Sequence, residues 1–271
     1  PEDAERTIVA HAHHDAARTA FFFNPAITET VGEHAPWVFE NNDTSPPLMW
    51  PLPAGPALVA AGALVGSRRL TGLGALVSAG GAAFMAHIGS GQVVPGANDN
   101  GTGCVSLIAL ARALAERPPE NTRVLLLSTS EEALCEGMGL FMERHGAELP
   151  VQSTFFLSID TVGSPHLLAL RGEGMLNMRE YPAESLALVD STAAELGIEL
   201  FPNLRLRNAT DGVFPLAAGY QCASLASCNQ WKNPSNYHWE TDTPNRIDYG
   251  TLADAIRLSE AVVRRLDERW L

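Results

Sequence analysis

The sequence predicts an α/β fold: a mixed, mainly parallel central sheet with helices on both faces, interrupted by a long helical insert. Three observations predict it. Short apolar runs alternate with helix-period segments over most of the chain. Several carboxylate and imidazole residues fall at or just past the ends of those runs, where open α/β sheets gather their sites. A long internal stretch almost without charge breaks the alternation.

The elements follow in order. Residues 7–12 read as a strand, an apolar run ending among histidines. Residues 103–116 read as a helix, because Leu107, Leu110, Ala111 and Leu114 share one face. The continuous apolar run Val124, Leu125, Leu126, Leu127 marks a buried strand over 123–130, and 136–145 a short helix. A strand at 154–160 is followed by another at 166–171. Residues 183–196 and 249–268 have helical periodicity. Between them lie a short helix at 211–218 and a strand at 222–226.

The uncharged stretch needs its own account. Residues 45–67 contain no charged residue, Arg68 and Arg69 follow, and 71–98 again lack Asp, Glu, Lys and Arg. Each stretch is about long enough to cross a hydrocarbon core of roughly 30 Å as a helix. Gly62 and Gly66, four apart, would let two helices approach closely. Two readings stay open. One is a membrane hairpin around 47–90, with Arg68 and Arg69 in a cytoplasmic turn and the rest of the chain outside. The other is a pair of soluble Ala/Gly-rich helices lying over the domain or forming a dimer contact. Pro51, Pro53 and Pro56 count against the first span, His87 and several glycines against the second.

Composition narrows the function classes. Net charge is −13, from 18 basic and 31 acidic residues, so nucleic acid is not an expected partner. The four cysteines, Cys104, Cys135, Cys222 and Cys228, contain no CxxC pair, which argues against a structural zinc knuckle. Cys222 and Cys228 are close enough in sequence to raise the question of a bridge. The first residue is Pro1, which predicts a processed, engineered or incomplete start and says nothing of localisation.

Chemistry concentrates at a few places. Glu131 and Glu132 directly follow a predicted buried strand, and carboxylates are costly to bury unless paired or metal-bound. Upstream stand His11, His13, His14 and Asp15, then Asp99 between Asn98 and Asn100. Downstream stand Asp160, Tyr237 and His238. A bridging carboxylate, two further carboxylates and two imidazoles suit a pair of zinc ions, with one more carboxylate needed to move protons. Taken singly, Asp99 reads equally as a turn residue, Asp160 as a cap, and His11 as a neighbour on the strand face of His13.

In chain order, these residues resemble a known family. Ala12, His13, His14 and Asp15 are similar to a strand ending in His-x-Asp. The run from Gly96 through Asp99 to Gly103 resembles a Gly-Ala-x-Asp-Asn-x-x-Gly segment leading into a helix. Ser130, Glu131, Glu132 and Gly137 look like a Glu-Glu segment, and Asp160–Thr161–Val162–Gly163 like an Asp-x-x-Gly turn. Thr210, Asp211 and Phe214 approximate a Ser-Asp-x-x-x-Phe segment one residue shorter. Tyr237, His238, Asp242 and Thr243 match Tyr-His-x-x-x-Asp-Thr. The family is that of the dizinc aminopeptidases, which also includes glutaminyl cyclases, glutamate carboxypeptidase and the transferrin-receptor ectodomain.

The resemblance implies a zinc-exopeptidase fold, with a catalytic domain formed by 1–15 and 94–271 and an insert over 16–93. It implies two zinc ions per chain: Asp99 bridging, His13 and Asp160 completing one site, Glu132 and His238 the other. It implies Glu131 as general base, Tyr237 as oxyanion donor, Asp15 as the residue orienting His13, and a cis peptide at Asp99–Asn100. Part of the family's sheet edge or N-terminal helix would lie outside this chain. The expected activity is that of an aminopeptidase acting on a peptide or aminoacyl substrate. A one-zinc glutaminyl cyclase and a non-catalytic receptor of the same fold are the alternatives. Location would be membrane-associated with the catalytic domain outside the cytoplasm, or secreted; cytoplasmic is the alternative.

Overall fold

The computed structural model describes residues 4–46 and 51–271. Its centre is a five-stranded sheet. The strands are β1 (Arg6–His13), β2 (Thr122–Thr129), β3 (Thr154–Ile159), β4 (His166–Ala169) and, late in the chain, a strand at Gln221–Cys228. Three two-residue strands intervene in sequence: β5 (Gly172–Glu173), β6 (Arg179–Glu180) and β7 (Arg205–Leu206), which makes the late strand β8. The order is β2-β1-β3-β8-β4. The first four strands are parallel and β4 is antiparallel to β8, so the sheet is mixed and mainly parallel.

The period-two alternation of β1 builds the two faces. Ile8, Ala10 and Ala12 join a core containing Leu107 and Leu110 from α5 (Thr102–Glu116), whereas Val9 joins the opposite core with Met138 and Phe156. The helices before α5 are α1 (Pro25–His34), α2 (Trp37–Glu40), α3 (Pro51–Leu64) and α4 (Arg68–Ser90). Those after it are α6 (Glu136–His145), α7 (Ala183–Leu196), α8 (Val213–Ala217) and α9 (Tyr249–Glu268). Val189 of α7 and Leu258 and Val262 of α9 cover the Ile8 face. Met138 of α6 and Leu216 of α8 cover the Val9 face.

Three sequence expectations change. The second strand expected at 166–171 ends at Ala169 and runs against its neighbour. Cys222 and Cys228 are free thiols on one strand. Six residues of extended chain separate them by about 20 Å, far beyond disulfide reach. The first uncharged stretch forms a helix of only 14 residues, α3, with Pro51 and Pro53 in its first turn and Pro56 interior, so among the described residues α4 is the one helix long and apolar enough to cross a membrane.

The expected helical pair is present as α3 and α4; residues 47–50 of the suggested hairpin lie outside the described residues. Close approach is made across the helices. A Cβ on Gly62 would stand 2.5 Å from Thr71 N, and one on Gly74 would stand 2.5 Å from Val59 N. Gly66 instead supplies the left-handed turn between them, at φ 67. Gly74 is the one buried residue of α4, and Leu64, Val65, Leu73 and Leu76 are all exposed.

Residues 16–46 pack on the sheet-bearing part of the chain. Thr44 bridges Arg205 of β7, and Asp43 pairs with the Arg205 guanidinium. A Cβ on Gly32 would collide with the Trp231 ring.

Candidate metal centre

The site stands where β1, β2 and β3 end. The backbone carries β1 to its last residue, His13, which is almost fully buried. His13 Nδ1 lies 3.1 Å from the Asp15 carbonyl oxygen and 3.3 Å from Asp15 Oδ1, which turns Nε2 toward the site. The Asp15 carboxylate also accepts N–H bonds from Glu131 (2.8 Å) and Glu132 (3.1 Å), plus the Ser130 hydroxyl at 2.8 Å. One carboxylate therefore fixes both the imidazole and the turn that follows β2.

Asp99 enters from the segment before α5. Gly96 has φ 66, and the Asp99–Asn100 peptide is cis, as the resemblance implies. Asp242 accepts the N–H groups of Asn98 and Asp99 at 2.8 and 3.0 Å. Asn100 Oδ1 accepts the N–H groups of Gly103 and Thr161, and its amide donates to Ile159 O. A Cβ on Gly103 would lie 2.5 Å from Ile159 O, so glycine is required where α5 starts against β3.

Asp160 follows β3. His238 comes from the long loop after β8, with φ 50, a strained conformation for a non-glycine residue. Its ring stacks on Tyr237 at 3.8 Å. The Asn208 amide donates to the Tyr237 hydroxyl at 3.3 Å.

These side chains converge. His13 Nε2 is 3.2 Å from Asp99 Oδ1 and 3.5 Å from Asp160 Oδ1. His238 Nε2 is 3.2 Å from Asp99 Oδ2 and 3.3 Å from Glu132 Oε2. Two three-residue groups result, His13–Asp99–Asp160 and Asp99–Glu132–His238, sharing Asp99. Ligands about 2.1 Å from a tetrahedral zinc stand roughly 3.4 Å apart, which is the spacing seen. Asp99 Oδ2 and Glu132 Oε1 are buried without a hydrogen bond. The donor set, the spacing and the unsatisfied carboxylate oxygens all fit a pair of divalent cations. Glu131 lies beside them: it forms a third group with His13 and Glu132.

Electrostatics point the same way. Burial pushes the carboxyls of Glu131 and Glu132 up, helped by neighbouring carboxylates: Asp160 and Glu132 for the first, Asp99 for the second. Burial would lower the two imidazoles, yet surrounding carboxylates outweigh it. His13 is raised by Asp15, Asp160 and Asp99, and His238 is pushed up to about 10 by Asp99 and Glu132. The site concentrates negative charge that a bound cation would neutralise.

His11 and His14 do not enter the site. His11 is fully buried without a hydrogen bond, edge-on to Phe156, and burial pushes it down to about 3. His14 lies near the surface, 3.0 Å from the Ser128 hydroxyl. Asp211 accepts a bond from the Thr129 hydroxyl, and Asp242 holds the Asp99 backbone; neither belongs to the two groups around Asp99.

Beside the carboxylates opens a cavity of about 350 Å³. Asp99, Glu131, Asp160 and His238 line one end, and its walls include Leu168, Leu170, Leu204, Leu206 and Phe214. Sequence reading missed Phe23, which also lines it. The three consecutive phenylalanines at 21–23 were the available signal. Trp231 is not among the lining residues and packs on Phe39.

The profile of Peptidase family M28 matches residues 78–263, and so omits β1 and His13. A vacuolar membrane protease of Schizophyllum commune is 27% identical over 172 residues, covering 63% of this chain and 18% of that protein. The chain thus spans less than a fifth of this curated relative. Among solved structures, Bacteroides thetaiotaomicron glutaminyl cyclase shares the fold at TM-score 0.59 and 17% identity, over 97% of this chain and 74% of that one. An aminopeptidase from Aneurinibacillus sp. strain AM-1 matches at TM-score 0.51 and 19% identity, over 64% and 40%. With the profile matching well over half of the chain, the chain belongs to Peptidase family M28, on a fold shared with an aminopeptidase and a glutaminyl cyclase.

Proposed function

We propose that this protein is an aminopeptidase that uses two zinc ions. The observation that carries the reading is the pair of ligand groups sharing Asp99, with Glu131 beside them. His13 and Asp160 would hold one ion, Glu132 and His238 the other, and Asp99 both. Bound there, zinc would polarise a carbonyl oxygen and make water more acidic. Glu131 is the group that would carry a proton from the attacking water to the leaving amine. The Tyr237 hydroxyl donates to the oxyanion. The leucine-lined cavity beside the carboxylates suits an apolar substrate side chain.

We also propose that the α3–α4 hairpin associates with a lipid bilayer. The most apolar 18-residue window of the 23-residue helix α4 has mean hydropathy 1.3, and 6% of that window is buried. Arg68 and Arg69, beside the turn, would favour an arrangement with the catalytic part outside the cytoplasm.

The test is a panel of fluorogenic aminoacyl amides, with metal content measured on the same sample. Hydrolysis of apolar aminoacyl amides with two zinc ions per chain supports the reading. One tightly bound zinc and no hydrolysis would favour the cyclase alternative.

A further inference from the structure

Phe23 joins the insert to the metal centre. It is 8% exposed and lines the cavity. Its ring centroid lies 4.6 Å from the His238 imidazole and 5.6 Å from the Tyr237 ring, edge-on to both. Behind it, Phe22 stands 4.0 Å from Phe23 and 4.3 Å from Phe84 of α4. The rings form an unbroken file from the hairpin to the candidate metal ligand.

The backbone is fastened at the same place. The Phe21 N–H donates to His87 Nε2 at 3.2 Å, and the Thr19 N–H donates to Gln92 O at 2.9 Å. The Val94 N–H donates to Ala17 O at 3.0 Å, and the Arg18 guanidinium to Gly91 O at 2.8 Å. Gly91 has no side-chain alternative, because a Cβ there would run into Thr19 O. The C-terminal turns of α4 and the segment carrying Phe23 are therefore one packed unit, while the rest of α4 buries only Gly74.

We propose that the α3–α4 hairpin sets the width of the substrate pocket through Phe84, Phe22 and Phe23. Phe23 is the specificity-determining contact and Phe84 a positioning residue. The kinetic consequence rests on the aminopeptidase reading above. Interiors are close-packed, so deleting the Phe84 ring leaves a gap into which Phe22 relaxes. Phe23 then withdraws from the cavity. A large apolar side chain loses a wall; a small one, which does not reach it, loses nothing.

The experiment compares the native protein with Phe84→Ala, Phe84→Leu and Phe23→Ala. Hydrogen exchange is measured across residues 20–24 and 154–159, and kcat and KM on alanyl, leucyl and phenylalanyl amides, with zinc content throughout. Phe84→Ala should speed exchange at 20–24 but not at 154–159. It should raise KM about tenfold for leucyl and phenylalanyl amides and less than twofold for alanyl amide. Phe84→Leu should recover most of both effects, and Phe23→Ala should reproduce the selective KM change. Unchanged exchange at 20–24 in Phe84→Ala would overturn the coupling. A uniform loss on all three amides accompanied by loss of zinc would overturn the specificity role. A native protein inactive on every amide would overturn the aminopeptidase reading instead, and the exchange result would still decide the coupling.

Discussion

Asp15 Oδ1 accepts the N–H of Glu131 at 2.8 Å while standing 3.3 Å from the imidazole of His13. One carboxylate thus connects the end of β1 to the turn after β2. Burial would raise its pKa, but His13, the Glu131 N–H and the Ser130 hydroxyl hold it well below the usual carboxylate range. The loss of this group removes the support of two candidate metal positions at once.

Asp15→Ala should therefore weaken zinc binding by about 10- to 100-fold, the usual effect of deleting a partner of a metal-bound imidazole. Zinc titration against a competing chelator measures it. Binding within twofold of the native protein would remove Asp15 from the account.

Glu173 stands outside the candidate ligand groups and gives stability a pH dependence. It is fully buried, and burial pushes its carboxyl up to about 7 despite bonds from Tyr181 and Thr210. The ordinary glutamate value is 4.5. The folded pKa is the higher one, so the bound proton favours the fold. That stabilisation is complete below about pH 4.5 and is lost as pH rises through about 7, on the order of 3 kcal/mol in all. Urea unfolding of chelator-treated protein should show falling stability between pH 5 and pH 8. Glu173→Gln should flatten that slope; an unaltered slope would show that Glu173 does not cause it.

The hairpin gives a third prediction. Gly74 faces Val59 N across the helix contact, so Gly74→Leu should force α3 and α4 apart and cost about 1–3 kcal/mol. Leu73 and Leu76 are exposed, on the surface that the proposed membrane association would turn to lipid. Their joint replacement by Lys should abolish flotation with phosphatidylcholine vesicles while preserving the circular dichroism spectrum. Native protein that fails to float would count against membrane association.

Much of this was legible in sequence for a physical reason. His13, Glu132 and Asp160 lie at strand ends, and parallel strands bring such ends together whatever the intervening loops do. Alternation in β1 does not separate His13 from His11, which shares its face; Asp15 two places on and the family resemblance single out His13. The pocket was not legible in the same way. Its wall combines Phe23 with Leu168, Leu206 and Phe214, residues that no local pattern links. The direction of β4 was also hidden, because Leu167, Leu168 and Ala169 read alike in either sense. Gly62 could be picked as a helix-contact glycine, but its partnership with Thr71, and that of Gly74 with Val59, depends on how the turn at Gly66 folds the two helices together.

The most direct test of the central claim is Glu131→Gln, assayed for turnover and zinc content on one preparation. The substitution keeps the shape of the side chain and removes its capacity to carry a proton. Two zinc ions should be retained and kcat lowered by about 10²- to 10⁴-fold. A variant that keeps its zinc and its full kcat would contradict that claim.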